Sequence, residues 1–173
     1  AHSLKAVNKD GKPGACYVLL GFGPNQVYKS FLAGKYLDLS DNTPLALEYC
    51  SGYKIRFGSF GDPASVPAAL TQEFVDVSSG HTSYSHQWNN KALTAKQRKA
   101  VARFSHLAAD NVKSAIMLQA LGYKTFRVRT QDGALLPGEE VCQHEIDDTR
   151  CMDCGKCKGL KGISQVVTAH GSK

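Results

Sequence analysis

Apolar and polar positions along the chain fall into two alternating rhythms, short β-forming runs and longer stretches with one apolar face per helical turn. Cys16-Tyr17-Val18-Leu19-Leu20 is an apolar run closed by the Gly21-Phe22-Gly23 turn. Pro24 then opens a helix with Val27, Tyr28, Phe31 and Leu32 on one face, ended by Gly34. From Tyr53 onward the rhythm becomes regular. Residues 54–60 predict a strand ended by Gly61-Asp62-Pro63, and Ser65 caps a helix whose face is Val66, Leu70, Phe74 and Val75. Residues 81–88 predict another strand, and Thr94 caps a basic helix over 95–103. Phe104 to Ala109 reads as a short strand ending at Asp110, and the next helix runs from Asn111 to the stop at Gly122. Residues 124–129 alternate as a strand, Gln131-Asp132-Gly133 turns, and Glu140-Val141-Cys142 leads into a cysteine-rich loop. A last β-rich run, 163–169, ends at His170-Gly171.

Strands alternating with helices imply an α/β fold with parallel pairing and right-handed crossovers. Repeated βα units without long all-apolar strands fit a partial or small (βα) barrel better than an open doubly wound sheet. At 173 residues the chain is one domain, 1–173, with an N-terminal lead-in segment and helix over 1–50 and a metal-binding loop over 142–159. In either architecture the functional end is the carboxyl ends of the strands. Those ends carry Asp62, then His86-Gln87-Trp88, Asp110, Arg127 with Arg129, Cys142 with His144, and His170.

The cysteine loop is the strongest chemical signal. Cys142, Cys151, Cys154 and Cys157 follow C-x8-C-x2-C-x2-C. Four thiolates in so short a stretch can converge on one metal. A structural zinc site takes four thiolates tetrahedrally at about 2.3 Å. The C-x2-C-x2-C triplet is also how ferredoxin-type chains hold three irons of a [4Fe–4S] cluster. Zinc and iron–sulfur stand level on this pattern, and His144 is a substitute ligand. The competing reading is a redox or disulfide cluster, in which bridges inside one loop would constrain little of the fold. Cys16 and Cys50 have no partner at motif spacing and read as buried apolar thiols.

The other polar candidates each have a plain structural alternative. Asp62, between glycine and proline, is placed to cap a turn. His81 and His86 are five apart and face opposite sides of one strand, whereas Tyr84, His86 and Trp88 share a side. That aromatic face suits stacking on a base, and it equally suits core packing. Asp110 is placed as the N-cap of the helix after it. Arg127 and Arg129 are the candidate phosphate ligands. His170, at a strand end near the terminus, is the candidate general acid or base. The candidate catalytic group is therefore Asp62, His86, Asp110 and His170, and the candidate ligand-binding group is Tyr84, Trp88, Arg127 and Arg129. No G-x-S-x-G elbow, Walker loop or HExxH motif is present, and the C-x3-C-x2-C triplet of radical S-adenosylmethionine enzymes is absent.

Charge adds a preference of partner. Lys and Arg number 21 against 15 Asp and Glu, a formal charge of +6. The excess favours nucleic acid or a phosphorylated small molecule, against the plain reading of a solvated basic surface. No run of eighteen apolar residues spans a membrane, and no charged-then-apolar leader opens the sequence. Cysteines at CxxC spacing in a chain this long point to a reducing compartment, the cytoplasm.

Several blocks resemble an uncharacterised protein family encoded by phages, plasmids and bacteria. They are Ala15-Cys16-Tyr17-Val18, Ile55-Arg56-Phe57-Gly58-Ser59-Phe60-Gly61-Asp62-Pro63, Tyr84-Ser85-His86-Gln87-Trp88, Thr125-Phe126-Arg127-Val128, Cys151-Met152-Asp153-Cys154-Gly155-Lys156-Cys157 and Ala169-His170-Gly171. The resemblance implies a phage- or plasmid-linked protein inside a bacterial cell and implies no mechanism. Together the residues lead to two functional expectations. One is a metal-containing enzyme acting on nucleic acid or a nucleotide at a strand-end pocket. The other is a non-enzymatic accessory protein that binds nucleic acid or a protein, with a purely structural metal. A redox sensor is a third.

Overall fold

The computed structural model describes residues 23–169. The apolar run at Cys16 and the candidate His170 lie outside these residues. Helix α1 (Gly23–Leu32) starts and stops where the proline and glycine signals put it, with Gly34 in the left-handed region at φ 64°. Helix α2 (Leu39–Cys50) was not expected from the sequence. Asp38 caps it by accepting the Ser40 amide at 2.9 Å, and the helix kinks at Asn42, two residues before Pro44. An internal proline ordinarily argues against a helix, which hid this element.

Strand β1 (Lys54–Arg56) is less than half the expected length, because Gly58 turns the chain away at φ 79°. Asp62, rather than Ser65, provides the cap that follows: it holds a 3-10 turn over Pro63–Ser65, and α3 (Ala68–Val77) begins only after Pro67. The strand expected over 81–88 divides into β2 (Gly80–Thr82) and β3 (Tyr84–Ser85), and Gln87–Asn89 forms a 3-10 turn. Helix α4 (Ala95–Ala102) carries the full capping box from Thr94 to Gln97. Strand β4 (His106–Ala109) follows, then α5 (Val112–Ala120), whose cap is Asn111 and not Asp110. The remaining elements are β5 (Thr125–Arg129), β6 (Glu139–Val141), α6 (Gln143–Asp147), α7 (Cys151–Cys154) and β7 (Ser164–Thr168).

All the pairings are parallel, as the βα rhythm requires. β1 pairs β2, and a five-stranded sheet runs β3-β4-β5-β7-β6. Its end strands are β3 and β6, so the described strands make an open sheet; a closed barrel is not seen among them. Ser83, between β2 and β3, bridges Lys158 of the cysteine loop.

The register sorts side chains onto two faces. Leu107 and Ala109 share one face with Thr125, Arg127 and Val166. There Leu107 and Ala109 join Ala102, Ala115 and Leu118 in the core, with Trp88, Tyr123 and Leu136 packed against it. Tyr84, His106, Ala108, Phe126, Gln165 and Glu140 share the other face. The cysteine loop lies across that second face. Lys156 reaches Glu140 at 2.9 Å, and a Cβ on Gly162 would stand 2.5 Å from His106 Nε2.

Candidate metal centre

Each cysteine is placed by a different piece of backbone. Cys142 follows β6 and donates its amide to the Val166 carbonyl at 2.9 Å. Cys151 and Cys154 stand at the two ends of α7, three apart on a helical turn and therefore on one side of it. Gly155 then takes a left-handed conformation at φ 62° and donates to the Cys151 carbonyl, reversing the chain toward Cys157. Cys157 is pinned to the sheet by its carbonyl, which accepts the Ser83 amide at 2.7 Å. Lys156 draws the triplet back to the start of the loop. Its ammonium lies 2.9 Å from Glu140 Oε2 and 3.4 Å from Gln143 Oε1, which flank Cys142 in the chain.

All five described cysteines are free thiols. Burial pushes the Cys157 thiol up to about 12, and negative charge at Cys142, Cys151 and Cys154 adds to it while Arg56 opposes it. Burial likewise raises Cys142, with Cys151 and Cys154 contributing. Negative charge on Cys142, Cys151 or Cys154 is thus felt at Cys157. A cation among them would reverse that penalty. Among the described residues no three His, Cys, Asp or Glu side chains stand close enough to share one ion. His144 is exposed on α6.

Arg56, which the sequence reading passed over, connects this loop to the aromatic residues. Its Nη1 is 3.9 Å from Cys151 Sγ, and its Nη2 donates to the Tyr84 hydroxyl at 3.2 Å. Tyr84 stacks on Phe126 with centroids 4.7 Å apart, and the edge of His86 meets it at 5.8 Å. The only warning in the sequence was an arginine alternating with Ile55 in a three-residue strand. His106 was also missed. It is fully buried with neither ring nitrogen at hydrogen-bonding geometry, and its pKa is lowered to about 4, first by burial and then by Lys124. The Gly159 backbone is near enough to offset part of that effect.

The other predicted residues do not converge. Asp62 is engaged by four donors: Ala64 N and Ser85 Oγ on Oδ1 at 2.9 and 2.7 Å, His86 N and Gln87 N on Oδ2 at 2.7 and 3.2 Å. It staples the turn after β1 to the end of β3. A cleft of about 180 Å³ beside it is lined by Phe57, Phe60, Pro63, Val66 and Thr71 and is mainly apolar. Trp88 leaves the Tyr84–His86 side, donating its indole N–H to the Ala108 carbonyl at 2.6 Å. Arg127 is buried in an ion pair with Glu139, at 2.8 and 2.5 Å, and also donates to the Ala134 carbonyl. Arg129 donates to the Gln131 and Gly133 carbonyls, and Asp110 is exposed beyond β4. Comparison of the chain with protein-family models, with curated proteins and with solved structures returns no match.

Proposed function

We propose that this chain is a metal-binding α/β domain whose centre is held by Cys142, Cys151, Cys154 and Cys157. The observation that carries this reading is the pairing of Lys156 with Glu140, which returns the cysteine triplet to Cys142 across the sheet. The donor set suits a zinc ion or a [4Fe–4S] cluster, and either group would neutralise the thiolates that burial now disfavours. Binding in a reducing bacterial cytoplasm, in a phage- or plasmid-linked protein, fits the need for free thiols. The sheet face beside the loop, with Arg56, Tyr84, His86 and Phe126, is the better candidate for a ligand-handling surface. Asp62 and Arg127 are engaged with the protein itself, so the strand-end pocket loses its central acid and its phosphate ligand.

Anaerobic purification followed by zinc and iron analysis tests the proposal. The expected result is stoichiometric metal in the parent and in Cys50→Ser, and its loss in Cys142→Ser and Cys157→Ser. Absorbance near about 400 nm would assign iron–sulfur, and a colourless zinc protein would remove any electron-transfer role. Metal retained in full by Cys157→Ser would sink the assignment.

A further inference from the structure

The amino-terminal ends of the parallel strands, in both sheets, carry basic residues that are far apart in sequence. Lys54 opens β1 opposite Gly80. Arg103 caps α4 immediately before β4. Lys124 precedes β5, and its carbonyl accepts the Leu107 amide at 2.9 Å. Lys158 bridges Ser83, and Lys161 closes the 3-10 turn over Gly159–Lys161. Gly159 brings that turn against the Arg103 backbone, so closely that a Cβ there would stand 2.6 Å from Phe104 Cα.

None of these five cations is in an ion pair with another described residue. The salt bridges among the described residues are Arg127–Glu139, Arg150–Asp153 and Lys156–Glu140. Four of the five are exposed and Lys124 is half-buried. Just inside these ends, the side-chain charges acting on His81 are those of Lys158 and Lys161, and Lys124 acts on His106. Tyr53, 70% exposed, stands next to Lys54. Lys54 opens β1 of the two-stranded sheet, whereas Arg103, Lys124 and Lys161 precede β4, β5 and β7 of the five-stranded sheet, so the cations span the amino-terminal ends of both sheets.

We propose that this surface binds the phosphate backbone of a nucleic acid through Lys54, Arg103, Lys124, Lys158 and Lys161. The geometry favours nucleic acid over an anionic membrane. The cations lie on strand ends and turns, whereas membrane attachment ordinarily uses a helix with one apolar and one basic face. Tyr53 supplies a ring on which a base can stack. The surface gives the basic excess of the chain a location.

Fluorescence anisotropy with labelled duplex and single-stranded DNA tests this, across a salt series. The parent is expected to bind with strong salt dependence. Converting Lys54, Lys124, Lys158 and Lys161 together to Gln is expected to weaken binding at least about ten-fold and to flatten the log–log salt slope by about three. The control changes Lys29, Lys35, Lys91 and Lys96 to Gln, an equal loss of charge elsewhere, and is expected to stay within about two-fold of the parent. Circular dichroism checks folding, and the single variants Lys54→Gln and Lys158→Gln serve if the fourfold variant does not fold. No salt-dependent DNA binding by the parent, or equal weakening by the control, overturns the proposal. Loss of binding to phosphatidylserine vesicles with DNA binding unchanged also overturns it. Zinc and iron measured on the same preparations separate this outcome from a failure of the metal centre.

Discussion

Arg127 shows what a single residue discloses and what it conceals. Alternation in Thr125-Phe126-Arg127-Val128-Arg129 places it correctly on a strand, and a cation near a strand end invites a phosphate. Its partner lies on β6, twelve residues away, and local pattern carries no sign of that pairing. The guanidinium meets both Glu139 oxygens, with side chains only 3% and 0% exposed. Glu139 also accepts the Leu136 amide at 2.9 Å, so the pair fixes the turn before β6 as well. Removing one member leaves the other charged and dry. Arg127→Met is expected to cost about 3–5 kcal/mol in urea unfolding, and Arg127→Met with Glu139→Leu should recover most of it. A single variant within about 0.5 kcal/mol of the parent would mean the pair is solvated. Asp62 follows the same logic with a better forewarning, since aspartate before proline already reads as a turn cap; only its reach to Ser85, His86 and Gln87 was hidden.

At the scale of elements, the spacing of Cys142 to Cys157 and its position between the last two strands were both plain in the sequence. Its path across a sheet face, in place of a strand-end position, was not. That path depends on contacts to β4 and β6 that no local rule anticipates. Gly159 sets it: at φ 65° it passes so near Arg103 that a Cβ would collide with the backbone carbonyl. Gly138, at φ 78°, has open space around its would-be Cβ. The two glycines therefore separate backbone strain from collision. Gly138→Ala should cost about 1–2 kcal/mol, the left-handed penalty alone. Gly159→Ala adds the collision, and because backbone is the obstacle the loop must move. If the proposed metal is bound, Gly159→Ala is expected to lose it to a chelator at least about ten-fold faster than Gly138→Ala, a shift of about 1.4 kcal/mol in the barrier. Equal chelator kinetics would show that the loop's seat on the sheet does not organise the cysteines.

For the molecule as a whole, the α/β class and parallel order followed from the βα rhythm, because each helix that returns the chain must leave the next strand parallel. The open sheet and the kinked α2 did not follow, since closure depends on strand partners and Pro44 masked a helix. The buried second face adds a property of the entire fold, its dependence on pH. His106 lies beneath the cysteine loop, fully buried, with a pKa of about 4 against 6.5 when exposed. Folding therefore disfavours the protonated ring. Above pH 6.5 the ring is neutral in both states and imposes no penalty. As pH falls below 6.5 the unfolded chain takes up the proton first, and stability declines until the folded ring titrates near 4. At 1.36 kcal/mol per unit, the full loss across that window is about 3 kcal/mol. Lys124 adds to the effect and is screened by salt, whereas burial is not, so most of the decline should persist in high salt. Urea unfolding of the parent between pH 7 and pH 4.5 should show the decline, and His106→Gln should flatten it by removing the titrating group. A parent curve no steeper than that of His106→Gln would show that the loop admits the charged ring, and with it water, to the face of the sheet on which the cysteines sit.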